Sequence, residues 1–388
     1  MMKQEVIRGE DSYCCTLSKE VQEVAKVDLN ETAKVRKKAL AEVRKWIRCQ
    51  PQIKRARLDS NFILRFLRMQ KFEIKESCEI LDKYLTMRCQ YPTWFQNLDC
   101  QDPALADLVS RGYIFVLPER DQHGRRVIFS RAAAFDPTKY TTSDMMRAHV
   151  MTFETLLANE ENQVRGFTYV FDEKAVSWSH LSIWTPSEVS KAFSCCERAL
   201  PMRHRDINFL NLPWTMSLIF QFAKSLLSEK IRSRFKTHSG LESLQRSVDP
   251  SFLPAEYGGT TSVADCIASW KSELEDGRAE LLQLDQLKVD SNAPVGEQLA
   301  LVRKKSRHDS GSGSEVSTNS VKLYLIQPLN MTGAHMVDGS FYVGQCDTFC
   351  SQYFYVAGVE YDGEHAKARG GALIQWRRCK PMRPVIYL

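Results

Sequence analysis

Between residues 113 and 212 the sequence alternates strand patterns with helical ones, and this alternation limits the possible folds more than any other feature. Short β-branched and aromatic runs predict the strands, and longer amphipathic segments predict the helices. The strands are expected at 113–117, 127–130, 167–171 and 207–212, and the helices at 142–159 and 186–199. Strands separated by helices of ten residues or more favour a mostly parallel sheet. We therefore predict an α/β fold.

Three helical patterns precede this region, at 31–48, 61–69 and 73–88. Pro51 ends the first, and Asp59 or Ser60 is a suitable N-cap for the second. Three short helices in succession predict an N-terminal three-helix bundle. The domain boundaries we expect are a flexible N-terminus at 1–28, the bundle at 29–90, the α/β domain with a C-terminal helix at 91–288, a disordered linker at 289–320 and a tail of unassigned fold at 321–388.

The bulk composition excludes several classes of protein. No run of 18 uninterrupted apolar residues is present, and residues 1–10 lack the apolar core of a secretory signal, which predicts a cytosolic protein. The 12 cysteines are irregularly spaced and form no paired zinc signature, so we expect neither a metal nor a cofactor. The net charge of +6 is mild and does not by itself indicate nucleic acid.

A wide apolar sector runs from residue 210 to residue 227. Trp214, Leu218, Phe222 and Leu226 recur every four residues, so they are expected on one helical face. Such a helix is either a core element or a lid, which covers an apolar cavity when shut and lies in a membrane interface when open. The segment alone does not decide between the two.

Cations flank this apolar segment. Between residues 203 and 236 there are seven Lys or Arg residues and two acidic ones. Arg203 and Arg205 alternate as in a strand, and Lys230 and Arg234 share one helical side. A charge cluster of this kind is either an ordinary solvated face or a site for anionic lipid headgroups. Each Lys or Arg near such headgroups contributes about 1 kcal/mol of binding free energy.

The sequence resembles the CRAL-TRIO family of lipid-binding proteins, in the branch of alpha-tocopherol transfer protein, cellular retinaldehyde-binding protein and the clavesins. Leu-Arg-Phe-Leu-Arg at 64–68 is similar to the signature of the family's N-terminal helical bundle. Phe-Asp at 171–172 and Trp-Ser-His at 178–180 are similar to the family's central strand and the turn that follows it. The most specific match is Leu-Pro-Ala-Glu-Tyr-Gly-Gly at 253–259, with which the family closes its lipid domain. The matches span about residues 31–275.

The resemblance implies an α/β lipid-binding domain whose pocket is closed by a mobile gate helix, here about 212–227. It also implies a phosphoinositide site on Arg203, Arg205, Lys230 and Arg234. A further family cation falls on the neutral Gln70, for which the neighbouring Lys71 is a candidate replacement. The positions that line the family pocket fall on Met146, His149, Phe153, Phe171, Trp184, Ala192, Cys195, Leu200 and Ile207.

The chain departs from the family at three positions of the gate region. Asp206, Asn208 and Ser225 stand where glycine, histidine and proline are usual. These changes affect the hinge of the gate and the headgroup preference rather than the fold.

We therefore predict a non-enzymatic protein that binds and transfers a hydrophobic small molecule (a retinoid, a tocopherol-like molecule or a phospholipid). Its partners would be that ligand and phosphoinositide membranes, with reversible association to endosomal membranes, and not nucleic acid. One alternative is an endosomal trafficking adaptor that uses the lipid site as an address. Another is a hydrolase, but a dyad of Cys195 or Cys196 with His204 lacks a third group, and no nucleophile-elbow or P-loop motif is present.

Overall fold

The computed structural model describes residues 4–290 and six short strands between residues 334 and 387. The chain divides into two compact units, Met1–Val176 with Ser190–Leu299, and Ser177–Val189 with Ala300–Leu388. Most of the predicted linker and of the tail lies outside the described residues. The described tail strands form three antiparallel pairs, which are β9 (Ala334–Val337) with β10 (Ser340–Val343), β11 (Glu360–Asp362) with β12 (His365–Lys367), and β13 (Leu373–Gln375) with β14 (Val385–Tyr387).

A five-stranded sheet forms the centre of the first unit. Its strands are β3 (Ile114–Arg120), β4 (Arg126–Arg131), β5 (Phe167–Asp172), β6 (His204–Leu210) and β7 (Phe235–His238), in that spatial order. The pair β3–β4 is an antiparallel hairpin, and the three other pairs are parallel. The mostly parallel α/β sheet is therefore confirmed. The carboxyl ends of β4, β5 and β6 lie at one edge, which is where open α/β sheets place ligands.

Fourteen α-helices are described. They are α1 (Lys19–Leu29), α2 (Ala33–Cys49), α3 (Ser60–Met69), α4 (Ile74–Gln90), α5 (Pro92–Phe95), α6 (Pro103–Ser110), α7 (Thr142–Leu157), α8 (Glu160–Arg165), α9 (Trp178–Ser182), α10 (Pro186–Arg198), α11 (Ser217–Ser225), α12 (Glu229–Arg232), α13 (Leu241–Gln245) and α14 (Val263–Gln283). None of the helices in the described part of the chain is both long and apolar enough to cross a membrane.

The N-terminal helices α2, α3 and α4 pack on one another. Phe62 and Phe66 of α3 meet Tyr84 of α4 edge to face, with ring centroids 5.9 and 5.3 Å apart. On its other side α3 is tied to α7, because Arg65 donates to the Glu154 carboxylate over 2.9 Å in a buried ion pair. Helix α3 thus shares a buried ion pair with the helix that packs on the main sheet.

Arg68 of α3 forms a second buried ion cluster. Its guanidinium donates to both oxygens of Glu31 over 2.9 Å and to Glu160 over 2.8 Å. Gln163 accepts a further bond from it over 2.8 Å. The side chains of Arg68 and Glu31 are fully buried, so these bonds replace water for both charges.

The prediction of a flexible segment at 1–28 is wrong for its C-terminal part, which forms α1. Ser18 caps this helix by accepting the backbone N–H of Val21. The residues that it buries against Val164 of α8 are Leu17, Val21, Ala25 and Leu29. The four-residue spacing of the last three places them on one stripe. A charged helix is therefore fixed to the body of the protein by one narrow apolar face.

A small second sheet joins distant parts of the chain. Its order is β1 (Glu5–Arg8), β2 (Ile53–Arg57) and β8 (Lys288–Val289), with β2 in the middle. The β1–β2 pair is parallel and the β2–β8 pair is antiparallel. Arg8 also pairs with Glu280 of α14 over 3.0 Å. Helix α14 and β8 are thus fastened to the N-terminal region.

Candidate functional site

One face of the main sheet is covered with aromatic rings. Tyr169 and Phe171 of β5 lie on the same face because they are two residues apart. The ring of Phe171 stacks at 5.9 Å on Tyr169 and at 5.1 Å on Phe209 of β6. Phe171 and Phe209 remain half-buried although their strands are flanked on both sides. Open space therefore lies in front of this face.

Helix α7 brings His149 and Phe153 to this aromatic face. The Phe153 ring lies 6.4 Å from that of Tyr169, and the His149 ring lies 6.5 Å from that of Phe171. His149 Nε2 shares a 2.9 Å hydrogen bond with the Tyr113 hydroxyl. Burial lowers the pKa of His149 to about 4, so its imidazole is neutral at pH 7. The site contains a neutral histidine–tyrosine pair among apolar rings.

Glu173 adds a carboxyl group that the sequence reasoning missed. Its backbone N–H donates to Leu210 over 2.9 Å, so the strand alternation continues past β5 and places Glu173 on the side of Phe171. Burial, and after it the charge of Asp172, raises the pKa of Glu173 to about 7. Burial and then the Glu173 charge raise the pKa of Tyr113. Extending the predicted strand 167–171 by two residues would have revealed this position.

Most of the residues predicted to line the pocket are buried. These are Met146, Phe153, Ala192, Cys195, Leu200 and Ile207, while His149, Phe171 and Trp184 are half-buried. The structure brings His149, Phe153 and Phe171 together. Trp184 belongs to the second unit. The Cys195 thiol lies 3.1 Å from the Met87 sulfur of α4.

Helix α11, at the position predicted for the gate, packs on the aromatic face. Among its described side chains, the buried ones are Phe220, Ala223 and, just past its end, Leu227, which are spaced as one helical stripe. The Phe220 ring lies 4.8 Å from Phe209 and 6.0 Å from Phe235 of β7. Helix α11 thus places Phe220 against the rings of β6 and β7.

The face predicted for this helix is wrong at Trp214, which is 68% exposed. Phe222 and Leu226 are half-buried, and the side chain of Leu218 lies outside the described residues. The reason is that Trp214 belongs to a 3-10 turn, Trp214–Met216, that precedes α11. A 3-10 turn rotates by about 120° per residue, so a four-residue spacing counted from Trp214 drifts off the helical stripe.

The four predicted cations meet at the amino end of β6. Arg203 donates to the Val164 carbonyl, and Arg234, just before β7, donates to the His204 carbonyl. Burial lowers the pKa of Arg203, and the charges of Arg205 and Arg234 add to this effect. The pKa of Lys230 is also lowered, mainly by burial and secondly by the charge of Arg234. Arg203, Arg205, Lys230 and Arg234 therefore form one patch in which like charges repel, called the basic patch below.

Two further cations belong to the basic patch. Arg125, in the turn before β4, contributes to the lowered pKa of both Arg203 and Arg234, after burial and Arg205. Lys71 contributes to the lowered pKa of Lys230. Lys71 thus lies where a replacement for the neutral Gln70 was expected. Arg125 was not expected, because it is more than 70 residues distant in sequence from the other arginines.

A carboxylate from α1 lies on this patch. Asp28 Oδ2 is 2.8 Å from Arg205 Nη2 and 3.9 Å from Arg203 Nη2. Glu20 anchors the start of the same helix through a 2.6 Å pair with Arg165. Since the repelling cations need a counter-charge, Asp28 occupies a position that an anionic ligand would compete for.

We expect Asp28→Asn to strengthen binding to vesicles that contain phosphatidylinositol bisphosphate. Removing one negative charge beside the patch should tighten binding about fivefold, since one charge near an anionic membrane is worth about 1 kcal/mol. Vesicle co-sedimentation at low salt would measure it. Glu23→Gln removes a charge from the same helix, but Glu23 pairs with Lys26 instead of the patch. An equal increase in vesicle affinity in both variants would show an effect of net charge alone.

Two family models match the chain, one described as a CRAL/TRIO domain over residues 110–259 and one as a Pinta-like UBA domain over residues 32–105. Clavesin-2 of Homo sapiens is 32% identical over 261 residues, which cover 67% of this chain and 80% of that protein. The chain belongs to the CRAL-TRIO family. Clavesin-1 of Pongo abelii is also 32% identical, over 66% of this chain and 73% of its own length.

Among solved structures, the crystal structure of Sfh5 covers 76% of this chain and all of its own, with a TM-score of 0.42 and 13% identity, a likeness too distant to add to that conclusion. The CRAL/TRIO match contains the main sheet, α11, Glu173 and the four predicted cations. Asp28 precedes both matched regions. The counter-charge on the basic patch therefore comes from a part of the chain outside both matched regions.

Proposed function

We propose that this CRAL-TRIO protein binds a hydrophobic small molecule (a retinoid, a tocopherol-like molecule or a phospholipid) in the cytosol and exchanges it at membranes that carry phosphoinositides, including endosomal ones. The observation that supports this most is the continuity of gate and patch. Helix α11 closes the aromatic face and ends at Ser225, and α12 begins four residues later with Glu229 and Lys230. A headgroup held by the patch would thus act next to the closing helix.

The packing of α11 supports a coupling between headgroup binding and opening. Phe220 packs on Phe235, and Phe235 directly follows the patch residue Arg234. Opening exposes Phe220 and Leu227, and each large apolar side chain contributes about 1.5–3 kcal/mol when buried. Lipid chains can replace the sheet as the partner of these side chains. Phosphoinositide would then favour the open state by its better affinity for that state.

Cys195 and His204 each contact a residue of the first unit. The Cys195 thiol contacts the Met87 sulfur, and His204 Nδ1 shares a 2.8 Å hydrogen bond with the Tyr169 hydroxyl. A thiol nucleophile needs a base within hydrogen-bonding distance and a group that orients this base. The Met87 thioether is not such a base.

Release of retinol from the loaded protein into vesicles should accelerate when the vesicles contain phosphatidylinositol bisphosphate. Trp214→Ala is expected to reduce this acceleration about tenfold, because the exposed Trp214 at the start of the gate would lose its burial in the interface. Retinol fluorescence measures the release rate. Retinol binding in the absence of vesicles should not change, since Trp214 precedes α11 and is 68% exposed.

Trp178→Ala is the matched control for this experiment. Trp178 is 62% exposed and lies outside α11 and its flanks. We expect the Trp178→Ala protein to release retinol at the wild-type rate. Release rates that are the same with and without phosphoinositide would contradict the coupling, although ligand binding would stand.

A further inference from the structure

The half-buried Glu173 differs from the buried Glu154 and Asp172 in having no side-chain donor among the described residues. Glu154 accepts from Arg65 and from the Tyr84 hydroxyl over 2.9 and 2.7 Å. Asp172 accepts from Tyr257 over 2.7 Å and from Asn211 over 2.8 Å. Among the described side chains, none donates a hydrogen bond to Glu173 or forms an ion pair with it, and the influences on its pKa are burial and the charge of Asp172. A half-buried carboxylate without a side-chain donor has its acceptor sites free, so a ligand in the open space can donate to it.

The position of Glu173 places it in the pocket and away from the basic patch. It follows the carboxyl end of β5, whereas Arg203 and Arg205 lie at the amino end of β6, which runs parallel to β5. Tyr113 lies at the same edge as Glu173, because its carbonyl accepts the N–H of Arg131 and Arg131 is paired with Asp172. The two ends of the sheet thus present opposite charge preferences.

The charges around Glu173 determine which ligand groups fit there. Burial and Asp172 are the influences on its pKa, and no cation of the described residues is among them. The nearby His149 is neutral and bonded to the Tyr113 hydroxyl. A hydroxyl can donate to a carboxylate and accept from a tyrosine or an imidazole N–H. A ligand carboxylate or phosphate would instead meet a like charge with no counter-ion.

We propose that Glu173, Tyr113 and His149 form the polar end of the ligand pocket and select lipids that end in a neutral hydroxyl over lipids that end in a carboxylate or a phosphate. This rests on the proposed function and narrows its ligand classes to lipid alcohols of the retinol or tocopherol type. Phosphate groups are then recognised only outside the pocket, at the basic patch. The protein would distinguish its cargo from its target membrane by charge.

The test uses two lipid pairs that differ only in the terminal group. The full chain, freed of lipid, is incubated at pH 8 with equimolar retinol and retinoic acid, and separately with equimolar hexadecanol and hexadecanoic acid. Mass spectrometry of the organic extract gives the bound ratio of alcohol to acid. We expect a ratio of about ten or more, which is the usual effect of one hydrogen bond to a charged group.

Glu173→Gln keeps the shape of the side chain and removes its charge, so the ratio should fall to within about threefold of unity. Glu242→Gln, at an exposed position of α13, should keep the wild-type ratio. Wild-type protein that takes acid and alcohol equally would overturn the selection by Glu173 but leave lipid binding intact. Protein that takes up neither lipid would overturn the proposed function, and this inference with it.

Discussion

Vesicles that contain phosphatidylinositol bisphosphate should bind the double variant Lys230→Glu, Arg234→Glu at least about a hundredfold more weakly than the wild type at low salt. Each substitution changes the patch by two charges, and one charge near the membrane contributes about 1 kcal/mol. The remaining patch cations would also be neutralised by the new carboxylates. Vesicle co-sedimentation over a range of lipid concentrations would measure the loss, with circular dichroism as a check of folding.

The salt dependence and a control distinguish this site from general electrostatic attraction. The difference between variant and wild type should shrink at high salt, because screening already weakens the wild-type attraction. Lys37→Glu, Lys38→Glu makes the same change of net charge on the exposed side of α2. We expect this control variant to lose much less of its affinity for the vesicles than the patch variant. Unchanged binding of the patch variant at low salt would exclude the basic patch as the headgroup site.

The largest loss of stability is expected from Arg68→Leu. This substitution leaves the carboxylates of Glu31 and Glu160 without the cation that donates to both, and the Glu31 side chain is fully buried. Removing one partner of a buried ion cluster costs about 3–5 kcal/mol. Urea unfolding at pH 7.5 would measure the change in the free energy of unfolding. A loss below about 1 kcal/mol would contradict the account of this cluster.

The pH dependence of that loss has a definite sign. Burial opposes the charged form of Glu31, but the hydrogen bonds and charge of Arg68 outweigh it, so the pKa of Glu31 is lowered. A lowered carboxyl pKa stabilises the fold above the unfolded pKa, and this stabilisation disappears as the pH falls through the folded pKa. The difference in the free energy of unfolding between Arg68→Leu and the wild type should therefore become smaller at acidic pH. Lys38→Ala, which breaks an exposed pair with Glu42, should cost no more than about 0.5 kcal/mol at any pH.

The main sheet was predicted well because the sequence patterns that indicate its strands are local. The aromatic run at 167–171 and the two long helical patterns around it are read within windows of about 15 residues. Helix α1 was not predicted, although Val21, Ala25 and Leu29 are correctly spaced. Its stability depends on Val164, which is remote in sequence, and its other faces are polar enough to be typical of a solvated terminus.

The candidate site was predictable only where single residues carried the signal. The cations of the patch alternate or share a helical side within short segments, so the sequence groups them. Arg125 and Asp28 reach the patch by tertiary packing, and no spacing indicates it. Glu173 escaped notice because a carboxylate after a strand is ordinarily solvent-exposed. Trp214 was misplaced because a 3-10 turn and an α-helix cannot be distinguished from an apolar pattern.

The position of β2 between β1 and β8 determines when the chain can finish folding. During synthesis β2 emerges long before β8, and its second edge stays unpaired until the residues at 288–289 have been made. At about 5–20 residues per second this interval is roughly 10–50 s. An unpaired strand edge is a template for wrong partners, so this interval is a period of aggregation risk. The N-terminal region, although made first, reaches its final structure only after the whole lipid domain has left the ribosome.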